Sequence, residues 1–330
     1  MTQYSILDLV RIRDNGNAKI SLNNARDLAR HAEQWGYTRF WMAEHHNMPG
    51  IASAATSVAI GHVAEGTDKI RVGAGGIMLP NHSPLVIAEQ FGTLDALFPG
   101  RIDLGLGRAP GTDQLTLRAL RRHPGSAENF PQDVLELQAL LGPVQPDQRI
   151  RAVPGANSHV PLWILGSSTF GAAMAGEFGL PYAFASHFAP DYLYTALETY
   201  RSRFKPSAQQ ATPYCMMGVN IIVASTDEEA EFLASTQRMS VTNLLRGDRG
   251  LSKPPISSMD TYWSIDERVQ AQRMLAMSAV GSPDTVREKL QGILSQTKAN
   301  ELMIVSDIYD HALRLRSYEH IARIMQSLNA

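Results

Sequence analysis

At 330 residues, with 44% hydrophobic and 19% charged positions, the chain is long enough for one large core or two modest ones, and it excludes a disordered or low-complexity protein. Its formal net charge of -2 comes from interspersed acids and bases with no basic stripe, which argues against nucleic acid as a partner. The single cysteine, Cys215, excludes an intramolecular disulfide, and its setting in CMMGVNIIV reads as a buried strand.

The N-terminus MTQYSILDLV lacks a basic n-region, and no window reaches the roughly 18 consecutive apolar residues of a membrane span, so a cytoplasmic protein without a membrane partner is expected. YSILDLV is the first predicted strand. Helical spacing follows it in Leu22, Ala25, Leu28, Ala29, Ala32 and Trp35. The second strand, TRFWMAE, runs into His45 and His46; adjacent strand residues face opposite ways, so only one of the two can look into a site. The third, IRVGAGGIML, gives up side chains at Gly73, Gly75 and Gly76, which suits either a flat ring lying close to the backbone or a β-bulge. RIDLGLG, the fourth, leads into Arg108, a planar fork suited to phosphate or carboxylate.

Gly142 to Val160, with three prolines, breaks the rhythm before the fifth strand, VPLWILG. That strand enters GSSTFGAAMAGEFGLP, where Ser167 and Ser168 open an apolar helix ending at Gly179. Free N–H groups, the helix dipole and two hydroxyls make this turn an anion site; plain serine N-capping accounts for one serine better than two. YAFAS and YCMMGVNIIVAS follow, then a second irregular segment, Arg246 to Gln272, and finally ELMIVSD.

Eight near-continuous apolar strands alternating with helices predict an α/β (β/α)8 TIM barrel, one domain over 1–330, with insertions after strands 4 and 7 at about 142–160 and 246–272. Barrel chemistry sits at the strand C-termini, which here carry Asp8, Glu44, His45, His46, Gly75, Gly76, Arg108, Ser167, Ser168, Ser186 and His187. The second insertion is placed to act as a lid, with Met259, Tyr262 and Trp263 as its apolar cover. No HExxH, HxH or Cys/His cluster is present, so no metal is expected.

In order and spacing, WMAEHHN, VGAGGIMLPNHSPLVIAEQ, LFPGRIDLGLGRAPG, GSSTFGAAMAGEFGLP and AVGSPDTVREKL together resemble the bacterial luciferase-like, flavin-dependent monooxygenase family. The resemblance implies FMN, or in some branches F420, at the C-terminal barrel end. It implies His45 as the catalytic histidine with Glu44 beside it, and Gly75 and Gly76, joined by a cis peptide, beneath the flavin ring. The phosphate site falls on Arg108 and the Ser168 turn, with Gly107, Ser167, Thr169, Gly171 and Ser186 completing the cofactor contacts. Two positions depart from the family: Gly107 stands where the luciferase has a cysteine, and Ser167 where it has an acid. Without the cysteine, oxygenation without light is expected. Pro110 has no N–H for a phosphate, whereas Gly111 has one.

The implied reaction is that of a two-component monooxygenase. A separate flavin reductase supplies reduced FMN as cosubstrate, and O2 attacks a small organic substrate by way of a C4a-peroxyflavin. No GxGxxG follows the first strand, which fits dependence on a reductase. The alternatives are an F420-dependent hydride-transfer enzyme, served by Arg118, Arg121, Arg122 and His123; a non-catalytic flavin-binding relative; and a hydrolase using Asp8, Glu44 and Asp103. Alanine-rich faces at Ala52–Ala64 and Leu85–Leu97 suggest a homodimer.

Overall fold

Strands that are apolar on both faces need cover on both faces, which only a helix-wrapped parallel sheet supplies. The computed structural model describes residues 1–109 and 113–330, so Pro110 and the Gly111 amide lie outside the described residues. The first half contains β1 (Gln3–Asp8), α1 (Ala18–Gln34), β2 (Arg39–Met42), α2 (Thr56–Ala64), β3 (Arg71–Met78), α3 (Pro84–Leu97), β4 (Ile102–Gly107), α4 (Gln114–Ala119) and α5 (Phe130–Leu141). Then come β5 (Leu162–Gly166), α6 (Thr169–Phe178), β6 (Tyr182–Phe184), α7 (Leu193–Arg203), β7 (Cys215–Val223) and α8 (Asp227–Leu245). The chain finishes with α9 (Ile265–Met274), β8 (Ser278–Gly281), α10 (Pro283–Thr297), β9 (Glu301–Val305) and α11 (His311–Asn329).

β1 to β7 pair in sequence, all parallel, and β9 joins β7 to β1, closing an eight-stranded barrel. Those eight are the strands expected from sequence. β8 is an addition to the expected set: among the described residues its four residues pair with Asn220–Val223 at the far end of β7, where Ile221–Val223 overhang the pairing with β9. The helical reading holds for α1, whose Ala25, Leu28, Ala29 and Ala32 are buried and whose N-terminus is capped by Asn17 accepting from Ile20 N–H.

The two irregular segments fall where expected along the chain, between β4 and β5 and after β7, but they face different ends of the barrel. Residues 142–160 follow α5 rather than β4, so they serve the N-terminal end of the barrel, away from the strand C-termini. There Gly155 lies against α3: a Cβ on Gly92 would fall 2.1 Å from the Gly155 Cα, and one on Gly155 2.4 Å from the Ala88 carbonyl oxygen. Residues 246–272 begin after α8, and the part that reaches the mouth is the stretch near 249–252. Gly50 N–H donates to the Arg249 carbonyl at 3.3 Å, Ser252 N–H to that of Ile12 at 2.8 Å, and Asp14 N–H to that of Ser252 at 2.9 Å.

Helices pack outside the barrel around one large apolar cluster; a smaller one, including Leu7, Trp41, Trp163, Met216 and Met303, fills the inside. Trp41 and Trp163 meet edge to face at 5.2 Å, as do Trp163 and Tyr214 at 5.6 Å. At the N-terminal end a buried charge network closes the floor. Arg39 binds Asp103 at 2.7 Å and Glu301 at 2.8 Å, Arg71 also binds Asp103, and Glu301 accepts from Ser5 and Tyr214. Among the described residues, no helix is long and apolar enough to cross a membrane.

Candidate active site

β2 carries its alternation past its last paired residue: Ala43 and His45 line the mouth, while Glu44 and His46 turn away from it. The Glu44 carboxylate is almost fully buried and accepts from Met78 N–H at 3.0 Å, Asn81 Nδ2 at 3.2 Å, His46 Nε2 at 2.7 Å and His82 Nε2 at 2.9 Å. Burial raises its pKa, but these donors outweigh it and hold the carboxyl down at about 2; in return, Glu44 raises that of His46. Glu44 was expected beside the reacting groups; with its oxygens occupied and turned away from the mouth, it positions the His45 loop instead. Glu44, His46 and His82 present ligand atoms within 4.8 Å of one another, a geometry that could also hold a cation. His82 was missed in the sequence because it lies 38 residues from its partner.

Two cavities meet at the mouth. The first, about 230 Å³, is lined by Ala43, His45, Gly75, Gly107, Arg108, Ser167, Ser168, Gly171 and His187 among others. It thus gathers most of the residues assigned to a cofactor. The peptide between Gly75 and Gly76 is cis, as expected. β3 shifts register between Gly75 and Ile77, leaving Gly76 as the extra residue of a bulge. The glycines are required by neighbours rather than by open space: a Cβ on Gly75 would lie 2.9 Å from the Trp41 ring, and one on Gly76 2.6 Å from the Gly105 carbonyl. Gly76 is outside the cavity, and its carbonyl accepts from Glu44 N–H at 3.1 Å.

α6 starts at the cavity wall with Ser168 as N-cap, and the Ser168 hydroxyl makes no capping bond to the helix. The first-turn N–H groups, Ser167, Ser168 and the rim guanidinium of Arg108 therefore converge on one end of the cavity. Arg108 lies over the Phe170 ring at 4.1 Å. Thr169 is the first residue of α6 and does not line the cavity. Ser186 is corrected too: it is buried, and its hydroxyl donates to the Gly218 carbonyl at 2.7 Å, behind His187. Glycines and alanines along the floor and an anion-binding end suit a planar apolar ring with a phosphate tail, so the residues fit FMN.

The second cavity, about 330 Å³, shares Leu7, Leu9, His45, His187 and Phe188 with the first. Leu251, Ser252 and the preceding residues from Asp248 cover it, together with Val241 and Leu244 of α8. Met259 and Trp263 line a different cavity, on the side of α8 with Asp227 and Phe232, and the Tyr262 hydroxyl donates to Asn243 Oδ1 at 2.7 Å. The expected apolar cover therefore comes from Leu251 and α8, because α8 stands between residues 259–263 and the mouth.

His187, noted in the sequence only as a polar strand-end residue, touches both cavities. Its ring rests where a Gly218 Cβ would be, and its buried Nδ1 has no hydrogen-bond partner among the described residues. Burial, then the nearby His45, lowers its pKa to about 4. The unfolded chain therefore binds more protons than the fold between pH 6.5 and 4, so this residue's contribution is intact above pH 6.5 and is lost as pH falls. Urea unfolding of the wild type at pH 5 should show at most about 2 kcal/mol lost to His187 relative to pH 8, and His187→Gln should lack that part of the slope. An equal slope in both proteins would refute the assignment.

The hydrolase carboxylates are dispersed: Asp103 lies in the floor network, Glu44 behind the mouth, and Asp8 at the second cavity paired with Arg314 at 3.0 Å.

The model of the luciferase-like monooxygenase family matches residues 2–301. A protein of Escherichia coli K12 named luciferase-like monooxygenase is 52% identical over 98% of this chain and 97% of its own. The N-acetyl-S-alkylcysteine monooxygenase of Bacillus subtilis is 31% identical over 97% of both chains. Among solved structures, apo-MsnO8 superposes with a TM-score of 0.91 at 34% identity, covering 99% of each chain.

Proposed function

The chain belongs to the luciferase-like monooxygenase family, and from that premise we propose that it is an FMN-dependent two-component monooxygenase. In this reading a separate reductase delivers reduced FMN, and O2 is used on a small organic substrate. The observation that carries the reading is the pair of joined cavities: one ends at Arg108 and the α6 N-terminus, the other is largely apolar, and His45 and His187 stand between them. Bound flavin supplies the activation of oxygen. Arg108, Ser167 and Ser168 would hold its phosphate, and the ring would lie along Ala43 and the Gly75 and Gly107 backbone. His45 moves a proton at the junction, while Leu251 and α8 keep water out of the second cavity.

The relative named for N-acetyl-S-alkylcysteine makes thioethers the first substrates to screen. Exposed Val58 on α2, with Val86 and Leu97 on α3, supports a homodimer paired through those helices. A second reading, F420-dependent hydride transfer, is favoured by one observation: Arg118, Arg121 and His123 are solvent-exposed at and just after α4, available to an acidic tail.

An anaerobic titration with FMN, reduced FMN and F420, followed by admission of air, separates these readings. Tighter binding of reduced FMN and a transient absorbance change in air are expected. Preference for F420 with no oxygen-dependent change would move the protein to hydride transfer. Flavin binding with no turnover of any thioether, aldehyde or sulfonate would mark a non-catalytic relative.

A further inference from the structure

The second cavity is polar on one side, and the charges there do not balance locally. Four arginines line it: Arg11, Arg13, Arg249 and Arg314. Three are answered by carboxylates: Arg11 by Asp307 at 3.4 Å, Arg314 by Asp8 at 3.0 Å and Arg249 by Asp113 at 3.9 Å. Arg13 makes no ion pair among the described residues; its guanidinium lies 5.5 Å from the Tyr309 ring. The carboxylates that could serve it are engaged. Asp307 faces Arg11, Asp310 caps α11 by accepting from Leu313 N–H at 2.9 Å, and Asp14 accepts from the Tyr309 hydroxyl at 2.5 Å.

Burial and the nearby Arg314 lower the Arg13 pKa, so the cation sits where its charge is poorly compensated. It is also held firmly. The backbone pairing of Arg13 with Ser252, with Ser252 N–H bound to the Ile12 carbonyl and Asp14 N–H to the Ser252 carbonyl, fixes this loop beneath the segment that covers the cavity. The remaining walls are apolar: Leu7, Leu9, Met48, Ile51, Val241 and Leu251.

We propose that this cavity selects an amphipathic substrate bearing a carboxylate, which pairs with Arg13 while its apolar body extends along Leu7 and Leu9 toward His45. The proposal rests on the reading of this cavity as the substrate site. A planar guanidinium offers a carboxylate two parallel hydrogen bonds, and in a partly desolvated cavity such a pair is stronger than at the surface. Arg13 thereby sets both which substrates enter and which end of them faces the flavin cavity.

The test uses two probes of one shape, 4-phenylbutyrate and its carboxamide, titrated calorimetrically at pH 7.5 into the full chain and into Arg13→Met and Arg13→Lys. The wild type should bind the acid at least tenfold more tightly than the amide. Arg13→Met should bring the two affinities together with amide binding unchanged, which also shows that the variant is folded, and Arg13→Lys should restore most of the preference. Equal affinities in the wild type, no binding of either probe, or a preference that survives Arg13→Met would overturn the proposal. FMN titration of the same samples keeps the two readings apart: absent flavin binding with an intact acid preference would sink the flavin reading alone.

Discussion

Replacing His45 by alanine should lower turnover by about 10²- to 10⁴-fold while leaving FMN affinity and thermal stability near those of the wild type, the size expected for loss of a positioned proton carrier. The expectation follows from alternation on β2. His45 lines both cavities, whereas Glu44 and His46 point to the cluster that fastens the β2 and β3 loops together. Truncating the other histidine should therefore give the opposite result. His46→Ala removes a donor from a buried carboxylate and should reduce stability by about 1–3 kcal/mol with only a small direct effect on chemistry. Steady-state kinetics and chemical unfolding on both variants decide the matter: comparable turnover losses would show that the loop, not the His45 imidazole, carries the effect.

The second large effect is expected far from the mouth. Arg39 is buried between Asp103 and Glu301, themselves almost wholly inaccessible, and it also lies 4.7 Å from the Trp163 ring. Arg39→Met would strand Glu301 with only hydroxyl donors from Ser5 and Tyr214 and leave Asp103 dependent on Arg71 and the Trp41 indole N–H. Removing one member of a buried ionic network costs about 3–5 kcal/mol, because the partners stay behind as uncompensated charge. Arg203→Ala, which breaks an exposed bridge to Glu177, should by contrast cost under about 1 kcal/mol. Urea midpoints of the two variants would expose the contrast, and similar losses would mean that the floor network is not what holds this end of the barrel closed.

How much of this was legible in the sequence depended on the range of the signal. Strand identity is local: a run such as RFWM or CMMGVNIIV announces itself by composition, and all eight barrel strands were found that way. The facing of His45 against His46 is equally local, since it follows from a period of two. β8 lacked such a signal, because Ser278–Gly281 is four residues long and acquires its identity only from the overhang of β7. Arg13 and His82 were invisible for another reason. Each owes its place to groups distant in sequence: Arg13 lies beside Ser252 and Tyr309, and His82 beside Glu44. The same limit put the lid on Met259, Tyr262 and Trp263. Apolar character was readable in those residues, but the intervention of α8 between them and the mouth was not. Ser186 was drawn in by its position at a strand end, yet its hydroxyl is spent on the Gly218 carbonyl.

The overhang of β7 has an evolutionary corollary. Everything from α8 to β8 leaves the barrel and returns to it by way of a single strand, and it contributes no member to the closed ring. Yet this excursion supplies Gln237, Val241, Leu244, Leu251 and Met274 to the cavity wall. It is therefore a cassette: a lineage could exchange it between two seams, one after Val223 and one before Pro283, and reshape one wall of that cavity while inheriting the barrel and the cavity at Arg108 unchanged.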